Sequence, residues 1–420
     1  MGLIVTDALL DGERVGLRCE GGLIEALGPE VAPGDGEETI DAGGMLLVPP
    51  FVNAHTHAAM TLFRGFGDDL PLMEWLEGHI WPAEARLKPE DVYWGTRLAA
   101  IEMIRSGTTR FVDMYWHEGE AARAVGDAGL RAVISSVFID GLDPGKGEGM
   151  RPAALAQLDE IQELAAADGR VDATFGPHAI YTVSAESLRW LAEQAAERGL
   201  GFSIHLSETQ GEVDDCLEAH GIRPAHYLDE LGCLGERAIL AHGVFLDDAE
   251  LELIAERGAT VAINTSANSK LAVGGAFPYG RAREAGVRVG LGTDGVSSNN
   301  NLDMFEEVKL FSLMAKHDSG DPAAAPAGEA LEIARGLNSP ALGGTPLEPG
   351  EPADFLLLDP ETPELSVGDL DAGLVYAATG SVVDTTVVAG RALMRGREVE
   401  GEAEAIAEVR ARAARLTSPP

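Results

Sequence analysis

His55-Thr56-His57 stands at the end of an apolar run, Met45 to Val52. In a strand, residues i and i+2 share a face. Both imidazoles can therefore hold one metal ion, and imidazole suits zinc, iron and nickel. Alone, the pair could equally be two surface histidines. Three later segments change that reading: Ser203-Ile204-His205-Leu206-Ser207-Glu208, Leu240-Ala241-His242-Gly243 and Leu291-Gly292-Thr293-Asp294-Gly295. In each, an apolar stretch runs into a metal-type or acid/base residue. His55, His57 and His205 with Asp294 form a nitrogen-rich, one-carboxylate ligand set that can leave one position for water. Such a set lowers the pKa of bound water from about 15.7 toward about 7, which gives a hydroxide nucleophile at neutral pH. His242 and Asp294 are candidates to take the water proton. Glu208, three residues beyond His205, is placed to give a proton to the substrate. Each residue alone has an ordinary structural use, as a buried core histidine, a capping aspartate or a loop acid. Their joint order along the chain favours a site.

These residues need a frame that gathers strand ends. From about residue 50 to 340 the pattern repeats strand, loop, helix. Expected strands are Arg110–Met114, Arg131–Phe138, Ala173–Gly176, Gly201–His205, Ala238–His242, Thr260–Asn264 and Val287–Thr293. Helical segments include Asp91–Arg105, Gly119–Ala128, Ala153–Ala167, Ser184–Arg198 and Asp247–Arg257. Alternation of this kind implies parallel β/α units. About eight of them fit an α/β fold closed as a (β/α)8 TIM barrel, whose chemistry sits at the C-terminal strand ends. Residues 1–48 read as short strands punctuated by Asp11-Gly12, Gly21-Gly22 and Pro33-Gly34-Asp35-Gly36. After about 345 short strands return at Asp354–Leu358, Ala372–Ala378 and Val382–Met394, with a turn at Gly390-Arg391. A surface helix follows over Glu402–Leu416. The expected organisation is a barrel over 49–344 and a small composite β-sheet domain from 1–48 and 345–420.

Composition narrows the partners. An apolar content of 45% supports a sizeable core. No apolar run approaches the roughly 18 residues of a membrane span. Met1 to Asp7 lacks a basic segment before an apolar one, so the expected location is the cytoplasm. Cys19, Cys216 and Cys233 are odd in number and scattered, which argues against a disulfide framework. With 69 acidic and 31 basic residues the net charge is -38, which repels nucleic acid and anionic membranes. The acidic excess with scarce lysine fits a salty cytoplasm, and a GC-rich genome would deplete lysine too. No lysine lies between Lys146 and Lys270. A carboxylated lysine bridging two metals on the fourth strand is thus absent, which favours a single metal ion. Association into a homo-oligomer stays open.

Further motifs carry a resemblance. Phe51-Val52-Asn53-Ala54-His55-Thr56-His57, Arg64-Gly65 with Asp68-Asp69-Leu70-Pro71-Leu72, Ile80-Trp81-Pro82-Ala83-Glu84, Gly176-Pro177-His178 and Gly292-Thr293-Asp294-Gly295 running to Ser298-Asn299-Asn300 are similar to segments of the amidohydrolase superfamily. With Leu347 to Asp354 near the end, the resemblance spans nearly the whole chain. The nearest subgroup resembles 5′-methylthioadenosine/S-adenosylhomocysteine deaminases and their chlorohydrolase relatives. The resemblance implies one divalent metal ion, zinc first, with Fe2+ or Mn2+ as alternatives, on His55, His57, His205 and Asp294. It implies a small-molecule nucleoside substrate. Glu208 would protonate the ring nitrogen, and His242 would orient and help deprotonate the water. Glu84 would bind the ribose hydroxyls, His178 would contact the nucleoside, and Ser298 would help position the base.

Two departures bear on substrate. Relatives that take a carboxylate-bearing substrate offer arginines after the third strand and in the next loop. Arg151 fills the loop position, but Ser136 stands at the strand end, which weakens the case for S-adenosylhomocysteine. In the seventh-strand segment, Ile263 to Leu271, the family's histidine and proline are missing. Expected chemistry is hydrolytic deamination of 5′-methylthioadenosine, 5′-deoxyadenosine or S-adenosylhomocysteine. The alternatives are deamination of guanine, a pterin, a triazine or aminodeoxyfutalosine, and a non-catalytic barrel scaffold. The scaffold reading is disfavoured because all four ligands, Glu208 and His242 are present.

Overall fold

The computed structural model describes residues 2–34 and 36–418. Met1, Asp35 within the expected Pro33–Gly36 turn, Pro419 and Pro420 lie outside the described residues. A curled parallel sheet takes its strands in chain order: Phe51–His57, Thr108–Met114, Arg131–Phe138, Val171–Pro177, Gly201–Leu206, Ala238–His242, Thr260–Ile263 and Arg288–Leu291. The last position continues past Gly292-Thr293 into Asp294–Gly295, which pairs in parallel with Thr56 and His57 of the first strand. The sheet thus returns on itself as a ring, consistent with the (β/α)8 barrel. Val52, Ala54, Val112, Val133, Ile239 and Ala262, from five of the strands, form a separate buried cluster. That is the packed interior expected inside such a ring.

Helices follow the strands and end where the sequence allows. Six helices, Glu118–Ala128, Pro144–Asp168, Ala185–Arg198, Gln210–His220, Asp248–Arg257 and Tyr279–Ala285, terminate at a left-handed glycine. A residue without Cβ takes that conformation at no steric cost. Asp247 caps Asp248–Arg257 by accepting from Glu250 N, and Glu250 returns the bond to Asp247 N. This reciprocal capping box satisfies two donors that the helix leaves unpaired.

A second, mixed sheet draws on both ends of the chain. Its order is Glu398–Val399, Arg391–Arg395, Val383–Val388, Phe355–Leu358, Leu46–Val48, Leu3–Leu10, Glu13–Glu20 and Leu23–Gly28, with Glu38–Asp41 paired to Leu3–Leu10. A distinct apolar cluster containing Leu17, Phe355 and Val387 lies beneath it. Arg131 at the start of the third ring strand reaches Asp354 beside this sheet through Nε at 2.7 Å and a second nitrogen at 3.1 Å.

Three local expectations are corrected. Ala372–Ala378 is helical rather than a strand, as Leu370–Ala372 and Gly373–Ala377. Asp369 caps it by accepting from Ala372 N, and the consecutive residues Leu374 and Val375 are buried together. Period-2 burial is absent, and a short apolar run cannot show its period from composition. The expected helix Ala153–Ala167 begins nine residues earlier, at Pro144, so Arg151 is helical and not in a loop. Asp143 accepts from Gly145 N and Lys146 N, and Pro144 occupies the first turn, where its missing N–H costs nothing. The internal Pro152 is tolerated because Glu148, whose carbonyl it leaves unpaired, is exposed to water. The seventh strand stops at Ile263, and Thr265–Lys270 forms a short helix.

The three cysteines are buried free thiols. Among the described residues no helix is long and apolar enough to cross a membrane.

Asp354 is almost fully buried and also accepts from Ala389 N. Removing one partner of a buried ion pair leaves the other uncompensated, at about 3 kcal/mol. Asp354→Ala is therefore expected to lower unfolding free energy by about that amount in a guanidinium titration. A change below about 1 kcal/mol would show that the Arg131 link does not stabilise the sheet.

Candidate active site

The site forms where the ring strands end. The register between the first two strands shifts between Asn53 and Thr56. A bulge of this kind re-aims side chains, and here it contains His55 and directly precedes His57. Asn53 clamps the first strand to the last: its Nδ2 donates to Thr293 Oγ1 at 2.7 Å and its Oδ1 accepts from Thr293 N at 3.0 Å. Asp294 follows at φ 58°, and His242 sits at φ 76°. Non-glycine residues avoid this region unless the surroundings hold them there, and such strain gathers at functional sites.

All five expected centre residues converge. His57 Nε2 lies 3.2 Å from Asp294 Oδ1, His55 Nε2 lies 3.6 Å from the same oxygen, and His205 Nε2 lies 3.4 Å from His57 Nε2. Single ligand atoms of His55, His57 and Asp294 lie within 4.8 Å of one another, as do those of His55, His205 and His242. His242 therefore reaches the same centre as the four expected ligands. The outer nitrogens are committed. His57 Nδ1 donates to Met114 O at 2.5 Å and His205 Nδ1 to His178 O at 2.7 Å. These bonds fix the tautomer and turn a lone pair on Nε2 toward the centre, as metal-ligating histidines require. His55 is fully buried, and neither ring nitrogen has a hydrogen-bond partner. A buried polar atom without a partner is costly, and a cation at the centre would satisfy it. Three imidazoles and one carboxylate fit a divalent metal ion.

Electrostatics agree with that fit at His55 and His205. Burial holds His55 and His205 well below the usual histidine range, so both rings are neutral ligands. At His57 burial works in the same direction, but the hydrogen bond and charge of Asp294 prevail and raise it to about 9. Asp294 is held well below the carboxylate range: burial opposes this, and His57 outweighs it. Burial raises Glu208.

The remaining expected residues divide. Glu208 Oε2 lies 3.8 Å from His242 Nε2, and both line a cavity of about 830 Å³ with His57, His205 and Asp294. Glu84, His178 and Ser298 line the same cavity. Glu84 accepts from Tyr115 OH at 2.8 Å. Burial raises its carboxyl, against the hydrogen bond from Tyr115. His178 Nδ1 contacts Thr182 Oγ1 at 3.0 Å, and burial pushes its ring down to about 4. Ser298 Oγ lies 2.9 Å from both Asp294 Oδ2 and Gly295 O, so its hydroxyl is engaged within the site. Arg151 is not brought in: its guanidinium lies 5.2 Å from the Trp190 ring, outside the cavity lining. A groove of similar size, about 900 Å³ near Lys88 and Arg123, contains none of these residues.

Three residues without an expected role support the site. Asn268 Oδ1 accepts from His242 Nδ1 at 2.8 Å, which leaves Nε2 facing Glu208. Asn268 lies in the segment that departs from the family pattern. Glu212 Oε1 accepts from Ser207 N at 2.8 Å and its Oε2 from Glu208 N at 3.0 Å. The Thr209-x-x-Glu212 spacing is a capping-box signal that marks such an acid. Tyr115 holds Glu84, and no motif announced it.

The fold and site define a protein class: a ring of β/α units bearing a buried, histidine-rich, one-carboxylate metal centre. The amidohydrolase family profile matches residues 46–393. The chain belongs to the amidohydrolase family. It is 47% identical over 386 residues to 5′-deoxyadenosine deaminase of Methanoregula boonei, covering 91% of this chain and 87% of that one. It is 43% identical over 418 residues to the 5-methylthioadenosine/S-adenosylhomocysteine deaminase of Pelotomaculum thermopropionicum, covering 97% and 94%. An adenosine deaminase from Xanthomonas campestris, crystallised with bound zinc, superposes with a TM-score of 0.90 at 32% identity, covering 99% of this chain and 98% of that one.

His55→Ala and His205→Ala are each expected to reduce retained divalent metal at least tenfold, measured by elemental analysis after dialysis. Losing only the hydrogen-bond partner that orients a ligating histidine costs about 10–100-fold in affinity. Full retention by both variants would remove these histidines from the ligand set.

Proposed function

We propose that this chain hydrolytically deaminates adenosine-type nucleosides, giving the inosine analogue and ammonia. The observation that carries this reading is the Glu208–His242 pair, 3.8 Å apart and buried beside the histidine-rich centre. A buried acid and base facing one cavity suit addition of water to an aromatic ring and loss of an amine. The deaminase names of the similar proteins from Methanoregula boonei and Pelotomaculum thermopropionicum support the same chemistry.

In this reading His55, His57, His205 and Asp294 hold one divalent ion, zinc by preference. When bound, the ion supplies a water molecule of lowered pKa. His242, its Nδ1 held by Asn268, presents Nε2 to accept the water proton. Burial raises the Glu208 carboxyl and so favours its protonated form, the form that can donate. Glu208 donates that proton to the ring nitrogen beside the amine-bearing carbon as the new C–O bond forms. The C–N bond then breaks, the proton taken from water leaves with the amine as ammonia, and the hydroxyl proton returns to Glu208 as the carbonyl forms. Glu84, oriented by Tyr115, accepts from the ribose hydroxyls. His178 packs against His205, with ring centroids 4.6 Å apart, and forms the wall beside the nucleoside. Ser298 holds Asp294.

The two sheets also support a division into two units: a catalytic ring over 49–344, and a smaller β-rich domain from 1–48 and 345–420.

Ammonia release and the adenine-to-hypoxanthine absorbance change, followed with zinc-loaded protein and a panel of adenine nucleosides, test the activity. Turnover of free bases or triazines without turnover of any nucleoside would replace this reading with a different aromatic amine. Glu208→Gln is expected to keep fold and metal while lowering kcat by about a hundredfold or more, the usual scale for a positioned proton donor. Near-normal turnover by that variant would reject Glu208 as the acid.

A further inference from the structure

Between the first ring strand and Pro89–Arg105 the chain forms only short helices. This stretch brings Leu72, Trp75, Leu76, Ile80, Trp81 and Glu84 into the cavity wall. Glu84 ends the helix Trp81–Glu84. Four residues are too few to hold a helix in water unaided, so the aim of Glu84 is set from outside. Tyr115 OH holds one carboxylate oxygen at 2.8 Å. The backbone beneath Glu84 needs a support of its own.

Arg86 supplies it. No lysine and no other arginine lies between Gly65 and Leu87. Its guanidinium donates to Ser418 O at 2.9 Å and also to Leu416 O. Leu416 ends the helix Glu402–Leu416, and the last carbonyls of a helix have no partner within it. A cation at that end also suits the helix dipole.

The bond is returned. Arg415 donates to Arg86 O at 3.3 Å and to Asp91 Oδ2 at 2.5 Å. Asp91 in turn accepts from Lys88 N at 2.8 Å, at the start of Pro89–Arg105. Each arginine thus binds the backbone of the other's segment. Glu84 lies two residues before this junction, and its carbonyl accepts from Leu87 N at 2.9 Å. The C-terminal helix is a firm post. Ala405, Val409 and Leu416 are buried, and the helix packs on Pro89–Arg105 and on Ala58–Phe63, the turn directly after His57. Neither Arg86 nor Arg415 lines the cavity.

We infer that Arg86 and Arg415 form a two-way clasp through which the C-terminal helix sets the reach of Glu84 toward the ribose of a bound nucleoside. Both are positioning residues. The inference rests on the deaminase reading and on Glu84 as the ribose contact. Its physical basis is that a hydrogen-bonding carboxylate displaced by about 1 Å loses most of its value to a bound substrate. A chain segment about 330 positions beyond Glu84 thereby takes part in recognition without touching the substrate.

The test compares 5′-deoxyadenosine with 2′,3′,5′-trideoxyadenosine, which lacks the hydroxyls that Glu84 binds in this reading. The zinc-loaded full chain is expected to prefer the first by about a hundredfold in kcat/KM, the scale of hydrogen bonds to a charged group. Arg86→Met and Arg415→Met are each expected to narrow that ratio about tenfold. The change should fall on KM for 5′-deoxyadenosine rather than on kcat, with kcat/KM for the trideoxy compound within about threefold of wild type. Arg412→Met separates positioning from stability. Arg412 pairs with Glu90 at 2.9 Å and Asp91 at 3.5 Å, so it secures the same helix without touching residues 81–87. That variant is expected to leave the ratio unchanged. Equal narrowing by Arg412→Met overturns the inference, as does an unchanged ratio in folded Arg86→Met. Should Arg86→Met fail to fold, Arg415→Met, whose side chain is partly exposed, decides in its place. A wild-type ratio within about threefold removes Glu84 as the ribose contact and overturns the inference while deamination stands. Should no nucleoside be deaminated, the reading under Proposed function fails. Calorimetric binding of the same two nucleosides then decides the clasp, and an affinity ratio equal in wild type and Arg86→Met overturns it.

Discussion

One pairing holds the site together: Asp294-Gly295 against Thr56-His57. It joins residues about 240 positions apart in the chain, and Asn53 locks it through both polar atoms of its side chain. Without that closure the first two histidines would face no carboxylate. With it, His57 and His55 share Asp294 Oδ1, and His205 comes within 3.4 Å of His57. Crowding three imidazoles and a carboxylate in a buried space is unfavourable in itself. The left-handed backbone at His242 and Asp294 adds local strain. The surrounding ring of hydrogen-bonded strands supplies the rigidity that keeps the donors aimed inward, as a metal centre needs.

The ring was legible in the sequence because its parts are locally written. Apolar strands, glycine helix ends and polar strand termini recur with regular spacing from residue 50 to 340. Arg131–Phe138, Ala238–His242 and Glu402–Leu416 were readable to the residue. The centre was legible for a related reason: histidine and aspartate are rare at apolar strand ends, so their order is informative. What escaped notice depends on contacts across space. Asn268 orients His242 from a neighbouring strand's loop, and Tyr115 holds Glu84 from the second strand's end. No periodicity reports such pairings. Arg151 is placed in a loop by the resemblance, whereas the Asp143 cap starts the helix early and makes it helical. Ala372–Ala378 escaped because seven apolar residues carry no period when flanking packing decides the outcome.

The surface and the cavity use acidic residues differently. Most of the 69 acids face water and set the net charge of -38. A buried minority anchor the loops at the strand ends. Asp113 accepts from Ala58 N at 2.7 Å and Thr56 Oγ1 at 3.0 Å, just beyond the His-x-His pair. Glu118 holds Val137 N at the end of the third strand, and Glu212 holds Ser207 N and Glu208 N after the fifth. Glu307 takes Asn299 Nδ2 at 3.1 Å and Ser266 N at 3.4 Å after the seventh and eighth. Burial raises the carboxyls of Glu212 and Glu307 to about 8.

These anchors explain how irregular loops can carry a fixed site. A loop backbone buried over a ring leaves N–H groups without strand or helix partners, and each must be satisfied. At Glu212 and Glu307 a carboxyl from the following helix does this with two acceptor oxygens, and it ties the loop to a rigid element at the same time. Glu208 shows the consequence most directly. Its own backbone N–H and that of Ser207, strained at φ 49°, are both held by Glu212. The side chain of Glu208 is thereby left without a structural task, buried and facing His242 across 3.8 Å. Supporting acids bind backbone, and reacting acids are left free to bind protons and substrate. By that division Glu118 stands between the two groups: one oxygen holds Val137 N, and the carboxyl still lines the cavity.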